Sequence, residues 1–237
     1  MRPGYGYVGL PDETALDPAP ADDGIWLIDM RKGESELLFS VEEIASFQTD
    51  GSMVGAEHYF NHLLFSPDNS RFLFFHLWEK NGKRHARLIT CNVNGKEKWI
   101  LVNTGIVSHY NWLSDNTIIC FSTGGDGRAR YYIYEDKTEN RVPLGQNSPN
   151  EDGHPSFSPS KNCLLMDSYP DKYGEQNLMI YYIDGDKLEV LGKFHAPRSF
   201  KGEVRCDLHP RWSRKGNMIA FDSADTGRRT LNILSLT

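Results

Sequence analysis

Short apolar runs separated by turn residues dominate the chain from Gly24 onward. HLLFS, RFLFFHL, ARLITCNV and KWILV follow one another between His62 and Val102, and are rich in aromatic and branched side chains. Runs of this length, bounded by Gly, Pro, Asn and Asp, predict β-strands rather than helices. Pro67-Asp68-Asn69 and Asn94-Gly95 supply the pre-set or positive φ that tight hairpins need. The pattern recurs as HYNWL, TIICFS, RYYIYE and RVPL, then as HPSFS, NCLLMDS, NLMIYYID and LEVLG, and last as HPRWS, MIAFDS and TLNILSL. Ahead of these come only GIWLIDM (24–30) and ELLFS (36–40), which read as the outer two strands of such a set. One helix signal stands out: Ser40 followed by Glu43, a capping box leading into IASF.

The runs form a repeat. His62-LLFSPDNSRFLFF, His109-YNWLSDNTIICF, His154-PSFSPSKNCLLM and His209-PRWSRKGNMIAF align without gaps, with an aromatic three residues after each His (Phe65, Trp112, Phe157, Trp212). From His62 to His109 is 47 residues, to His154 a further 45 and to His209 a further 55. Four short strands in about 45 residues is the size of a propeller blade. The expected fold is therefore all-β, a β-propeller with four-stranded blades, spanning 1–237 as one domain. Three blades are whole and two partial, so the chain reads as incomplete at its N-terminus, or as a ring closed by pairing its two ends. Sheets avoid bare edges, which is why an open ring needs one of these explanations.

Composition narrows the partners. With 26 Lys+Arg against 32 Asp+Glu the net charge is −6, and no basic face stands out to recruit nucleic acid or an anionic membrane. No apolar run is long enough to span a bilayer, and the first ten residues lack the apolar core of a signal peptide. The four cysteines, Cys91, Cys120, Cys163 and Cys206, form no Cys-x-x-Cys and read as small buried thiols. A reducing, cytoplasmic compartment fits them. Gly-x-Ser-x-Gly, Walker A and His-Glu-x-x-His motifs are all missing.

The chemistry rests on histidine. In a propeller the first strand of each blade lines the central channel, so residues equivalent by repeat converge there. His62, His109, His154 and His209 share one repeat position, and converging imidazoles make either a divalent-metal site or a proton-transfer site. The plainer alternative is a strand-start residue that bonds the neighbouring blade. Asp207 lies two residues before His209 and so faces the same side of an extended strand, where a carboxylate completes a metal shell or orients an imidazole. His76, Arg84 and Arg87 belong to the second unit, and an Arg fork suits a carboxylated ligand.

HLLFSPDNSRFLFF, HPSFSPS and DLHPRWSRKGNMIAFDS resemble the Tol-type PD40 propeller repeat. The recurring His, the FFHLWE segment and the Arg-rich strand after it are more specifically similar to oligogalacturonate lyases, a seven-bladed family. That resemblance covers the chain from about Gly24 onward. It implies a Mn²⁺-type ion held by His154, His209 and, in place of a family His, Asp207. It further implies His109 as base, Arg87 or Arg84 as substrate clamp, and His62 and His76 near a small acidic oligosaccharide cleaved by β-elimination. The family's Gln ligand has no counterpart in GEVRCDLH. The alternative is a non-catalytic Tol-type propeller that binds a carbohydrate or a protein segment.

Overall fold

A computed structural model describes residue 14 and residues 16–236. Its contacts divide the chain into two compact units, Met1–Thr104 and Gly105–Thr237. In the first, β1 (Gly24–Asp29) pairs with β2 (Glu34–Ser40), followed by helix α1 (Val41–Ala45). A four-stranded antiparallel sheet then runs in chain order through β3 (Glu57–Phe65), β4 (Arg71–Lys80), β5 (Lys83–Asn92) and β6 (Trp99–Val102). In the capping box the Ser40 Oγ accepts from the Glu43 N–H at 3.1 Å, satisfying one of the free donors that start the helix.

The second unit holds two more such sheets and a three-stranded one. They are β7 (Val107–Trp112) to β10 (Arg141–Pro143) with β8 (Thr117–Thr123) and β9 (Ala129–Glu135) between, and β11 (Ser156–Phe157) to β14 (Lys187–His195) with β12 (Cys163–Asp167) and β13 (Glu175–Tyr182) between. The third is β15 (Arg211–Trp212), β16 (Met218–Ser223) and β17 (Thr230–Ser235). Within each sheet every strand pairs antiparallel with the next in sequence, which is the meander of a propeller blade. The fold is all-β, a β-propeller with four-stranded blades, as the repeat predicts. A single 3₁₀ turn, Gly202–Val204, precedes β15.

Second strands of the sheets read as unbroken apolar runs because both of their faces are covered. β12 shows it best: Cys163, Leu164, Leu165, Met166 and Asp167 are all buried. Alternate residues serve opposite neighbours, as the period of 2 requires. Leu164 and Met166 pack with Ile119 and Tyr131 of the preceding sheet, whereas Cys163 and Leu165 pack with Leu208, Ile219 and Phe221 of the following one. Burying each such side chain contributes roughly 1.5–3 kcal/mol. In the first unit Phe39, Phe72 and Phe74 build the equivalent layer with Ile44 of α1. All four cysteines are buried free thiols. Among the described residues no helix is long and apolar enough to cross a membrane.

Candidate metal centre

One strand and two loops of the second unit carry His109, His154 and His209 to one place. His109 lies in β7 between Val107 and Tyr110, where the register against β8 shifts and the strand bulges. His154 and His209 each stand two residues ahead of a two-residue strand, β11 and β15. Their rings approach in series: His109 and His154 centroids are 4.2 Å apart, and His154 and His209 centroids 3.6 Å. The equivalence inferred from the repeat thus becomes contact for these three.

Asp167, at the end of β12, organises the centre from beneath. Its carboxylate is buried and accepts the backbone N–H of His154 at 2.6 Å, the His154 Nδ1–H at 2.9 Å and the backbone N–H of His209 at 3.0 Å. Desolvation would push the Asp167 carboxyl up, but the bonds from His154 and His209 outweigh it and hold the group ionised. Because Nδ1 of His154 is the donor, Nε2 keeps its lone pair and is available as a ligand atom. His209 has φ +42°, a left-handed conformation that costs free energy for a non-glycine residue and persists here under the Asp167 contact.

His109 is oriented in the same manner by Asp152, whose carboxylate accepts from its Nδ1 at 3.1 Å and from Ser108 Oγ at 2.6 Å. Gly153 joins the two arrangements. A Cβ there would lie 1.9 Å from the Asp167 carbonyl oxygen, so only glycine fits between Asp152 and His154. The buried Tyr131 hydroxyl holds that glycine from both sides, accepting its N–H and donating to its carbonyl, each at 3.0 Å.

His154, Asp207 and His209 each offer a ligand atom, all within 4.8 Å of one another. Asp207 Oδ2 is taken by Arg205, at 2.9 Å from Nε and 2.7 Å from Nη2. Asp207 Oδ1 is buried with no hydrogen-bond partner among the described residues. A buried carboxylate oxygen without a donor is costly unless a cation completes it. Two imidazoles and one carboxylate are a donor set that suits Mn²⁺ and similar divalent ions, so these residues fit a resident metal. His209 keeps an exposed edge, yet its pKa is pushed down, first by lost hydration and then by the neighbouring His154, partly opposed by Asp167. Neutral imidazole is the form that ligates. Tyr169 closes one side, its ring 5.7 Å from that of His154 and 6.1 Å from that of His109, with the Arg205 guanidinium 4.9 Å above it.

The other candidates lie in the first unit. Arg87 is buried, and four of its five N–H donors are engaged: Nε with His76 Nδ1 at 2.9 Å, Nη1 with the Gln48 carbonyl at 3.2 Å, and Nη2 with the carbonyls of Ile44 and Phe47 at 2.8 Å each. It closes the C-terminal end of α1 and has little left for a substrate. His76 is wholly buried between His58, Trp78 and Arg87. Arg84 is exposed on β5, opposite Glu79. His62 is exposed at the bulge of β3, with φ +53° and its ring edge-on to Phe75. Asp152, Asp167, Tyr169 and Arg205 went unread in the sequence. One signal could have found Asp152: Asp152-Gly-His154 repeats the Asp207-Leu-His209 spacing.

No protein-family model and no curated protein sequence matches the chain. Solved structures do. A TolB from Acinetobacter baumannii superposes with TM-score 0.53 at 13% identity, over 90% of this chain and 48% of that one. An oligogalacturonate lyase in complex with manganese superposes with TM-score 0.53 at 13% identity, over 90% of this chain and 71% of that one. The chain therefore spans about half the length of that TolB. At such identities the likeness is one of fold: this chain has the β-propeller architecture that TolB and oligogalacturonate lyase also have.

Proposed function

We propose that the second unit carries a metal-assisted uronate lyase site, with His154, His209 and Asp207 as ligands of a divalent ion, Mn²⁺ by preference, and His109 as the base. The observation that carries the reading is Asp207, whose Oδ1 is buried and unpartnered among the described residues and whose carboxylate offers a ligand atom within 4.8 Å of those of two imidazoles. When bound, the ion supplies positive charge to a uronate carboxylate and so acidifies the adjacent carbon. Asp152 holds the Nδ1 proton of His109, which makes Nε2 the nitrogen with the lone pair that takes that carbon's proton. The electron pair forms the carbon–carbon double bond as the glycosidic bond breaks, and the leaving oxygen takes a proton from water. Asp167 keeps His154 in one tautomer and one orientation throughout.

Calorimetric titration with MnCl₂, alongside ultraviolet absorbance of an unsaturated product from oligogalacturonate, tests this reading. His154→Ala should abolish Mn²⁺ binding. His109→Ala should retain it and lose the absorbance change. Equal loss of the ion from both variants would make His109 a ligand and remove the base assignment. A second reading, a non-catalytic Tol-type propeller, is favoured by the equal TM-score of TolB. Ligand binding without any absorbance change would establish it.

A further inference from the structure

We infer that Arg205 is the specificity-determining residue of this site, gripping a ligand carboxylate with the guanidinium edge that Asp207 leaves free. The inference rests on the reading of the site as one for an acidic sugar. It starts from the shape of the guanidinium, a planar fork with two edges that can each meet a carboxylate. Nε and Nη2 of Arg205 both contact Asp207 Oδ2, and Nη1 takes no part in those contacts. The side chain is 48% exposed, whereas that of Asp207 is 7% exposed, so the pair has a buried acidic end and an open basic one.

Tyr169 fixes the direction of that open end. The guanidinium carbon lies 4.9 Å over the Tyr169 ring, and the same ring reaches toward His109 and His154. Stacking of this kind holds the plane of an arginine. Arg205 is thus an oriented cation beside the proposed ligand trio. Arg87, with its donors on backbone carbonyls and His76, has no such edge to offer.

Two roles for Arg205 make different predictions. As a carboxylate clamp it discriminates acid from ester; as a mere partner of Asp207 it affects only the ion. Calorimetry on the full chain in saturating MnCl₂, with trigalacturonate and its methyl ester as probes, separates them. Arg205→Lys keeps a point charge for Asp207 but loses the fork. It is expected to weaken trigalacturonate binding about tenfold, leaving the ester and Mn²⁺ affinities close to those of the unaltered chain. Arg205→Gln should lose more of the acid–ester difference. Equal losses for both probes, a fall in Mn²⁺ affinity with acid–ester discrimination intact, or an unaltered chain that binds no trigalacturonate would overturn the inference. Binding without an absorbance change would sink the lyase reading alone. Cleavage by Arg205→Lys with unaltered acid preference would sink the inference alone.

Discussion

Asp167 and Gly153 show how narrowly single residues determine this centre. Asp167 is a buried anion whose three donors all come from the two candidate histidine ligands. Asp167→Asn places an N–H₂ group against at least one of those donors, and breaking a buried charged contact of this kind costs roughly 3 kcal/mol. The urea midpoint should fall accordingly. In chains that remain folded, Mn²⁺ affinity should drop about 10–100-fold, the usual effect of losing the group that orients a ligating imidazole. Gly153→Ala is expected to be as harmful for a steric reason. Its Cβ meets backbone, the Asp167 carbonyl, which cannot rotate away, and a forced shift there costs about 1–3 kcal/mol or more. A normal melting temperature in Gly153→Ala would show that the loop has room to move.

At the scale of elements, the segment between α1 and β3 is held by a directed chain of hydrogen bonds. Arg87 Nε can only donate, so His76 accepts at Nδ1 and carries its proton on Nε2. That proton goes to His58 Nδ1 at 2.8 Å, and His58 Nε2 donates to the Met53 carbonyl at 3.1 Å. Every bond requires both histidines neutral. Burial, then the Arg87 and His58 charges, push His76 down to about 2, and burial lowers His58 as well. An unfolded histidine titrates near 6.5. Below that pH the unfolded chain takes up protons that the folded relay refuses, so His76 makes stability fall as pH drops from about 6.5 toward 2, by up to about 1.4 kcal/mol per pH unit, and His58 adds a loss of the same sign. His76→Gln can accept from Arg87 and donate to His58 without titrating. Denaturation followed from pH 7 to pH 4 should show a shallower decline in that variant, and an unchanged slope would exclude His76 as the source. Arg87→Met should lower the melting temperature by uncapping α1, with Mn²⁺ binding retained in the folded protein, since no bond of Arg87 serves a ligand.

For the molecule as a whole, strand edges left unpaired among the described residues are the exposed liability. Trp26 and Ile28 of β1 are 48% and 57% exposed, and Leu231 and Ile233 of β17 are 72% and 61% exposed. Apolar edges of this kind favour association between chains. Ile28→Lys combined with Ile233→Lys should reduce self-association in sedimentation velocity while changing stability by less than about 0.5 kcal/mol per site. Undiminished association would mean that these edges are not the contact.

The strands, their order and helix α1 were legible from the chain because local patterns cause them. Turn residues close the hairpins, unbroken apolar runs such as CLLMD mark strands covered on both faces, and Ser40 with Glu43 starts α1. The register of His109, His154 and His209 was legible too, since a repeat carries equivalent positions to equivalent places. Partners were not. Whether an arginine meets substrate or a helix end depends on what another strand brings opposite it, and Arg87 and Arg205 are alike in sequence yet opposite in surroundings. Asp167 was hidden inside an apolar run, where its three donors arrive from loops preceding β11 and β15. Sequence determines which groups a blade offers; only tertiary packing, by removing water and choosing neighbours, decides which of them remain free to act.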